Sequence, residues 1–318
     1  MKLALAGDTM LGRRVADEIN SPVPAELFAP EVVAAAREAD LLLLNLECCV
    51  SSRGAPWPDP FKPFFFRAPP RATVFLQELG VTCVTLANNH ALDYGVEALA
   101  DTIRHLSDAG IAWVGAGADE AAARRPVVLE HGGVRVGVVA VADHPPDFAA
   151  AADQPGTAYA DLREGTPGWL REEIGSLDAD ITLVAPHWGP NMVDHPVPHV
   201  RRAAEVFRAS GATLVAGHSA HVFQGVDDHV LFDLGDFVDD YATDPRLRND
   251  LGLLFLVTFD EAHRPTRLEA VPLALDYCRT TLAGPRDRRW ITARFREACG
   301  AFGTEVAEES GRLVVAWA

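Results

Sequence analysis

The chain has 318 residues, of which 48% are hydrophobic, so it can bury a large core as one domain or as two ordinary ones. With 28 Lys and Arg against 45 Asp and Glu, its net charge is −17, and most of the surface would repel nucleic acid. The first apolar run is too short for a secretory signal and no other approaches membrane-spanning length, so we expect a cytoplasmic protein without a membrane anchor.

Short apolar runs alternate with helical patterns over the first half of the chain, which is typical of βα units around a buried sheet. In chain order, we predict a strand at residues 3–6, helices at 11–19 and 31–39, strands at 41–44 and 81–86, a helix at 96–108, a strand at 111–114 and a hairpin at 127–130 and 134–141. Residues 51–70 are rich in Pro and Phe and predict a long loop beside a functional site.

The second half continues this pattern and then changes. We predict strands at 181–185 and 213–216 around a helix at 200–209, then strands at 230–234, 253–259 and 267–275, a helix at 287–299 and a closing strand at 313–317. The three strands from 230 to 275 have no long helices between them, which favours antiparallel pairing on a second sheet. We therefore expect an α/β fold in which residues 1–318 form one domain of two sheets flanked by helices.

The chain has five cysteines, an odd number without the spacing of metal ligands. Cys48 and Cys49 are adjacent, which is poor geometry for a mutual disulfide. We expect five reduced thiols and treat a nucleophilic cysteine as the less favoured alternative.

Polar clusters follow the predicted strands at the points where the strands end. Their members are Asp8; Asn45 and Glu47; Asn88, Asn89, His90 and Asp93; His187; and His218 and His221. Taken singly, each could be a helix cap, a turn residue or a satisfied core histidine. Five clusters at one kind of position favour a shared site, since open α/β sheets bind ligands at the carboxyl ends of their strands. Carboxylate, amide and imidazole groups together suit Zn²⁺, Mn²⁺ or Fe.

The clusters and their flanking residues occur in an order that resembles a known family. The motifs are Gly7-Asp8-Thr9-Met10-Leu11-Gly12-Arg13, Asn45-Leu46-Glu47, Phe66-Arg67-Ala68-Pro69, Leu86-Ala87-Asn88-Asn89-His90-Ala91-Leu92-Asp93-Tyr94-Gly95, His187-Trp188-Gly189, and Gly217-His218 through His221. They are similar to those of the CapA family of poly-γ-glutamate biosynthesis proteins, within the calcineurin-like metallophosphoesterase superfamily. The resemblance spans residues 1 to about 239 and implies a four-layer α/β/β/α sandwich, with residues 240–318 a C-terminal extension packing on it.

The resemblance also implies a role for each matching position. The implied metal ligands are Asp8, Glu47, Asn89, His187, His218 and His221. It gives catalytic roles to Asp8, as the first ligand, and to His90, as the acid near the leaving group. Two positions depart from the superfamily pattern: Met10 stands where a histidine is usual, and two residues instead of one separate His218 from His221. We therefore expect one tightly bound divalent metal and a second, weaker one.

Residues around these ligands are candidates for holding the substrate. Arg13, Arg67, Asn45 and Asn88 are the candidate substrate-binding residues. A guanidinium binds phosphate or carboxylate through two hydrogen bonds, although Arg67 fits a surface salt bridge equally well. His195, His199 and Asp194 lie in a Pro-rich loop and could line the entrance or simply be solvated. Asp236 follows Gly235 and could orient a ligand histidine.

Three functions agree with this reading. The first is a metal-dependent hydrolase that cleaves a phosphoester of an anionic small molecule. The second is an amide or γ-glutamyl peptide hydrolase with the same metal site, because carbonyl carbon is open to the same attack. The third is a non-catalytic accessory protein of poly-γ-glutamate synthesis, against which the absent membrane anchor and the net charge of −17 both count.

Overall fold

Two large β-sheets stacked face to face form the centre of the structure. The computed structural model describes residues 1–22 and 26–317. Within these residues the helices are α1 (Arg13–Asn20), α2 (Pro30–Ala36), α3 (Ala72–Leu79), α4 (Gly95–Asp108), α5 (Glu120–Arg124), α6 (Gly168–Ser176), α7 (Pro198–Ala209) and α8 (Pro285–Gly300). None of these helices is both long and apolar enough to cross a bilayer.

The strands are numbered in chain order. They are β1 (Lys2–Thr9), β2 (Leu41–Leu46), β3 (Cys49–Val50), β4 (Arg67–Ala68), β5 (Cys83–Thr85), β6 (Ala112–Val114), β7 (Ala116–Gly117), β8 (Val127–His131), β9 (Val134–Ala142), β10 (Gly156–Thr157), β11 (Ile181–His187), β12 (Leu214–Ala216), β13 (Val226–Asp227), β14 (Val230–Leu231), β15 (Asp236–Val238), β16 (Leu251–Phe259), β17 (Pro265–Asp276), β18 (Arg279–Leu282), β19 (Ala307–Glu309) and β20 (Arg312–Ala316). The first sheet has the order β19-β20-β17-β16-β1-β2-β5-β6, and the second β13-β14-β12-β11-β9-β8.

Alternate residues of each central strand face two different cores. On β2, Leu42 and Leu44 pack beneath α1 to α4, whereas Leu41 and Leu43 pack between the sheets. On β9, Val138 faces the space between the sheets, whereas Val139, on the opposite face, packs beneath α6 and α7. A strand buried on both faces reads as a continuous apolar run, which is why β2 is recognisable from sequence. These cores define four layers, and they confirm the predicted α/β/β/α sandwich.

The late antiparallel strands belong to a different sheet from the one predicted. We expected residues 253–259 and 267–275 on a second sheet, but β16 pairs antiparallel with β1 and carries β17 and β20 into the first sheet. The second sheet is built instead around parallel β9, β11 and β12. The physical reason lies in β16: Leu254 and Leu256 face the core under the helices, while Phe255 and Val257 face the space between the sheets. A strand that is apolar on both faces is stable only where both faces are buried. Pairing with β1, which is itself buried on both faces, gives β16 such a position.

The other long elements agree with the sequence to within a few residues. The predicted hairpin forms from β8 and β9, and its turn residues Gly132 and Gly133 have φ of 58° and 84°, the left-handed values that a tight hairpin requires. Helices α3, α5 and α6 were not predicted. Two of them, α5 and α6, are short and contribute few buried side chains, so they give weak helical patterns. Residues 51–70 form a long connection whose regular part, within that range, is β4.

Close approach between chain segments explains the glycine that precedes the first polar cluster. A Cβ atom at Gly7 would lie 1.8 Å from the Gly235 carbonyl oxygen, which accepts a hydrogen bond from the Asp8 amide at 2.8 Å. The same contact fixes the position of Asp8 near the end of β1. A side chain at Gly7 would therefore push the site apart as well as strain the sheet.

We predict that Gly7→Ala lowers the free energy of unfolding by about 3 kcal/mol or more, because backbone atoms cannot yield as a flexible side chain can. Urea denaturation followed by circular dichroism measures this. Gly284→Ala is the matched control, since a Cβ there meets no atom within 4 Å. Equal unfolding midpoints for the two variants would contradict the prediction.

Candidate metal centre

The polar ends of strands from both sheets meet at one edge of the sandwich. Register pairs Asp8 of β1 with Asn45 of β2 on one side and with Asp236 of β15 on the other. From the second sheet, His187 ends β11, and a β-bridge joins it to His218, which follows β12. The two parallel sets of strands thus bring residues that are 210 positions apart in sequence, Asp8 and His218, to a common edge.

Five of the six predicted ligands are buried and Asn89 is partly buried, and most have a buried atom without a hydrogen-bond partner. Ligand atoms of Asp8, Glu47 and His187 all lie within 4.8 Å of one another. Among the described residues, the buried atoms of the predicted ligands that lack a hydrogen-bond partner are Glu47 Oε1, Asn89 Oδ1, His187 Nε2, His218 Nδ1 and His221 Nε2. Each such atom costs about 1–3 kcal/mol if nothing satisfies it. Oxygen and imidazole nitrogen donors in this mixture fit a borderline divalent ion such as Zn²⁺ or Mn²⁺.

His221 is oriented by a carboxylate, as the sequence suggested. Its Nδ1 lies 2.8 Å from Asp236 Oδ1 and 3.2 Å from Asp8 Oδ2, while its Nε2 lies 3.9 Å from Glu47 Oε1. A proton shared between Nδ1 and Asp236 leaves Nε2 free to act as a ligand. The chain bends sharply here, with left-handed φ at Ser219 (113°) and His221 (59°). This turn brings the ring to Asp8 despite the longer spacing from His218.

We predict that Asp236→Asn weakens metal binding by about 10- to 100-fold, because the ring of His221 loses the acceptor that fixes its tautomer and angle. Isothermal titration of the metal-stripped protein with Zn²⁺ or Mn²⁺ measures the affinity. Asp276→Asn, an exposed carboxamide substitution at the end of β17, should leave the affinity unchanged. An unchanged affinity in Asp236→Asn would argue against this role.

Two asparagines predicted to bind substrate serve a different purpose. The Asn45 amide donates to Asp8 Oδ1 (2.8 Å) and Glu47 Oε2 (3.0 Å), and its oxygen accepts from Thr85 and from the Asn88 amide, both at 2.9 Å. Asn88 also donates to the Leu46 carbonyl and accepts from the His90 amide. Both side chains are fully buried. The prediction of substrate contact is wrong for both, because their hydrogen-bonding groups are already used to hold the two carboxylates.

Charge interactions in the centre favour one ionised carboxylate and one protonated imidazole. Burial acts to raise the pKa of Asp8, but the hydrogen bond and charge of His221 outweigh it and hold that pKa well below its usual range. Burial acts to lower the pKa of His221, yet the charges of Asp236 and Glu47 raise it well above 6.5. Burial, followed by the charge of Asp8, raises the pKa of Glu47. The carboxylates thus repel one another electrostatically, and the centre favours binding of a positively charged group or ion.

The other two histidines among the predicted ligands, His187 and His218, are held neutral. Burial, with the charge of His144, lowers the pKa of His187 well below its usual value. Burial likewise lowers the pKa of His218. Neutral imidazole is the form that ligates a metal, so both rings are ready to bind at neutral pH. His144 was not singled out from the sequence; its ring lies 5.2 Å from that of His187 between centroids.

His90 has a carboxylate partner and faces a cleft. Its Nδ1 lies 2.6 Å from Asp93 Oδ2, and its Nε2 lies 3.8 Å from Glu47 Oε1. Burial lowers the pKa of His90, although the charge of Asp93 opposes this. Sequence reasoning missed Lys62, whose Nζ donates to the Asn89 carbonyl at 2.8 Å and lies 3.0 Å from Asp93 Oδ1. Lys62 lies in the predicted loop 51–70, which does border the site.

The cleft in front of these residues has a volume of about 360 Å³. Its lining includes Lys62, Phe64, Asn89, His90, His221 and Tyr241. Arg13 lies against its aromatic wall, 5.2 Å from the centroid of the Phe64 ring, with its Nε 3.2 Å from Asp240 Oδ2. Arg13 is not itself among the residues that line the cleft, so its contact with substrate stays a prediction.

Other predicted residues lie away from the cleft. The Arg67 guanidinium stacks on the Tyr94 ring at 4.0 Å and donates to the Arg53 carbonyl at 3.2 Å, so it is not part of the cleft lining. Asp194 and His195 form a pair that lines a separate cavity, and His199 Nε2 lies 3.3 Å from Asp143 Oδ2. Of the two alternatives left open for these loop residues, lining the entrance does not apply to this cleft, because none of the three lines it. Met10 is fully buried in the core and offers no ligand.

The cysteines play no part in this site. All five are free and buried, which confirms the prediction of unpaired thiols. Burial raises the pKa of Cys83 and of Cys299 to about 12, which makes them poor nucleophiles.

The layers and the strand-end residues define the class of the protein: a four-layer α/β/β/α sandwich with carboxylate and imidazole groups at one edge that could hold a metal. Residues 2–241 match the family described as bacterial capsule synthesis protein PGA_cap. The chain belongs to this family, the CapA family, as the motifs indicated.

Individual relatives agree with the family. A probable polyglutamine synthesis accessory protein of Mycobacterium tuberculosis is 31% identical over 326 aligned residues, which cover 95% of this chain and 85% of that protein. The capsule biosynthesis protein CapA of Bacillus anthracis is 28% identical over 255 residues, or 76% of this chain and 60% of its own length. Among solved structures, a hypothetical protein from Thermus thermophilus superimposes with a TM-score of 0.52 at 17% identity, over 87% of this chain and 100% of that one. That likeness concerns the fold alone.

Proposed function

We propose that this chain is a metal-dependent hydrolase that cleaves a phosphoester bond of an anionic substrate. The observation that carries the proposal is that buried ligand atoms of Asp8 lie within 4.8 Å of those of Glu47 and His187, and also of those of His221 and Asp236. Glu47, Asn89, His187, His218 and His221 each leave one buried atom without a hydrogen-bond partner. Buried polar atoms without hydrogen-bond partners lower the stability of a fold, so their presence together indicates a functional role. A hydrolase with a divalent ion at this point accounts for all of them together.

A divalent ion held by Asp8, Glu47, Asn89 and the three histidines would supply Lewis acidity, making water more acidic and polarising the bond to be broken. The protein's own residues do the rest. Asn45 holds Asp8 and Glu47 in a fixed orientation through one amide group. His90 borders the cleft and, with both ring nitrogens protonated, can donate its Nε2 proton to the departing oxygen while Asp93 holds its Nδ1 in place.

A second candidate is hydrolysis of a γ-glutamyl amide. It is favoured by the names of two relatives, which refer to polyglutamine synthesis and to capsule biosynthesis. The same ligands could serve either bond, since acyl carbon and phosphorus are both open to attack by activated water. We place the enzyme in the cytoplasm, and five free cysteines support a reducing compartment.

The test is metal analysis followed by assays on three substrates. The purified chain is stripped with a chelator, reloaded with Mn²⁺ or Zn²⁺, and incubated with a phosphomonoester, a phosphodiester and oligo-γ-glutamate. His187→Ala should abolish turnover together with metal retention. His131→Ala is the matched control, because His131 is exposed at the end of β8, next to the hairpin turn and at the opposite end of β9 from the site.

Each outcome decides between the candidates. Turnover of a phosphoester that depends on metal and on His187 supports the proposal. Release of glutamate alone supports the γ-glutamyl candidate. Metal bound without turnover of any of the three, together with capture of oligo-γ-glutamate, would replace both with a non-catalytic accessory role.

A further inference from the structure

The cleft beside the candidate centre has apolar, largely aromatic walls. Phe64, Tyr241 and Met192 line it, and the Tyr241 ring lies 5.3 Å from the His221 ring at a near-perpendicular angle. Phe64 and Tyr241 are 6.0 Å apart between centroids. These rings therefore lie directly beside the residues proposed to hold metal. A ligand bound in this cleft would therefore meet them.

A lysine and no carboxylate lines the cleft within the described residues, although the chain as a whole is acidic. Lys62 lines the cleft; its side chain is 11% exposed, and its Nζ lies 3.0 Å from Asp93 Oδ1. Arg13 lies against the same aromatic wall, and the structure gives a carboxylate partner to its Nε. Among the described residues, no Asp or Glu lines the cleft, although the chain has 45 acidic residues against 28 basic ones. An anion is attracted here, whereas an ammonium group would find no carboxylate within the lining.

One wall leaves apolar surface exposed to water. The Phe64 side chain belongs to a residue that is 45% exposed, and the neighbouring Phe61 is 90% exposed. Burying such surface yields about 25 cal/mol per Å². A flat apolar group packed against the exposed face of Phe64 would recover this free energy, and ring-on-ring contact would add to it. A cavity of about 360 Å³ accommodates a small molecule.

We propose that the cleft selects small anions that carry a flat apolar group and no free ammonium group. The inference deepens the proposed function by naming its substrate class, and it rests on that function only for the cleavage step. Recognition follows from Phe64, Tyr241 and Lys62. A free α-amino acid, with its ammonium group, falls outside the class.

Binding of non-hydrolysable phosphonates tests recognition separately from cleavage. The Mn²⁺-loaded protein is titrated calorimetrically with phenylphosphonate, methylphosphonate, ethylphosphonate and 2-aminoethylphosphonate. We expect phenylphosphonate to bind at least about tenfold more tightly than methylphosphonate. We expect 2-aminoethylphosphonate to bind more weakly than ethylphosphonate, from which it differs by one amino group.

Two neighbouring phenylalanines provide a matched pair of variants. Phe64→Ala should remove most of the advantage of phenylphosphonate over methylphosphonate. Phe61→Ala should keep it, because Phe61 belongs to the same loop but does not line the cleft. Lys62→Met should weaken all four phosphonates alike.

The two proposals can fail independently. Equal affinity for the phenyl and methyl compounds, or an advantage that survives Phe64→Ala, overturns the substrate class even if phosphoesters are cleaved. A phenyl advantage that depends on Phe64, in a protein that cleaves no phosphoester, supports the substrate class and contradicts the proposed function.

Discussion

Asp8→Asn is expected to remove nearly all bound metal and to lower hydrolysis by at least about a thousandfold, the equivalent of about 4 kcal/mol in the transition state. Asp8 is the carboxylate shared by the two groups of ligand atoms that lie within 4.8 Å of one another. Its oxygens also accept from the Asn45 amide and the Ser219 amide. An asparagine keeps the shape and one acceptor but loses the charge that neutralises an ion.

Stability measured with and without a chelator checks the same substitution in a second way. An ion present at 100 times its dissociation constant stabilises the folded state by about 2.7 kcal/mol. For a chain of this size, removing it should lower the melting temperature of the parent protein by several degrees. The Asp8→Asn variant should show no such response.

Asp17→Asn is the control, because the Asp17 side chain is 67% exposed on α1. It should retain metal, turnover and the response to chelator. A melting temperature that responds to chelator equally in Asp8→Asn would mean that the ion binds elsewhere.

The fold and the position of the centre were predictable for one physical reason. Strands buried on both faces, such as β2 with Leu41 to Leu44, read as apolar runs, and parallel strands place their carboxyl ends at a common edge. The polar residue after each run was therefore bound to lie near the others. This is how Asp8, Glu47 and His187 could be grouped before their coordinates were known.

What the sequence did not reveal depends on contacts between distant segments. Asn45 was assigned to the substrate, whereas its amide bridges two carboxylates because register pairs it with Asp8. Lys62 reaches Asp93 only through the course of a loop that has no periodic pattern. The partner of β16 was missed for a related reason. The apolar pattern of β16 indicates that both of its faces are buried, but it does not indicate which strand pairs with it.

His90→Asn is expected to lower kcat by about 10²- to 10⁴-fold with metal content unchanged, the usual range for a general acid. The Nδ1 of His90 lies 2.6 Å from Asp93 Oδ2, and its Nε2 lies 3.8 Å from Glu47 Oε1 beside the cleft. Asparagine retains polarity and approximate size but cannot deliver a proton. Inductively coupled plasma analysis of metal content and steady-state kinetics on the same samples separate loss of the acid from loss of the ion.

The leaving group provides the sharper test of this role. A 4-nitrophenolate departs readily without a proton, whereas an alkoxide does not, so the loss in His90→Asn should be much smaller for 4-nitrophenyl phosphate than for an alkyl phosphate. Asp93→Asn should follow the same trend with a smaller loss, because the ring remains but its tautomer is no longer fixed. A loss of equal size for both leaving groups would mean that His90 supports the shape of the site and does not protonate the departing oxygen.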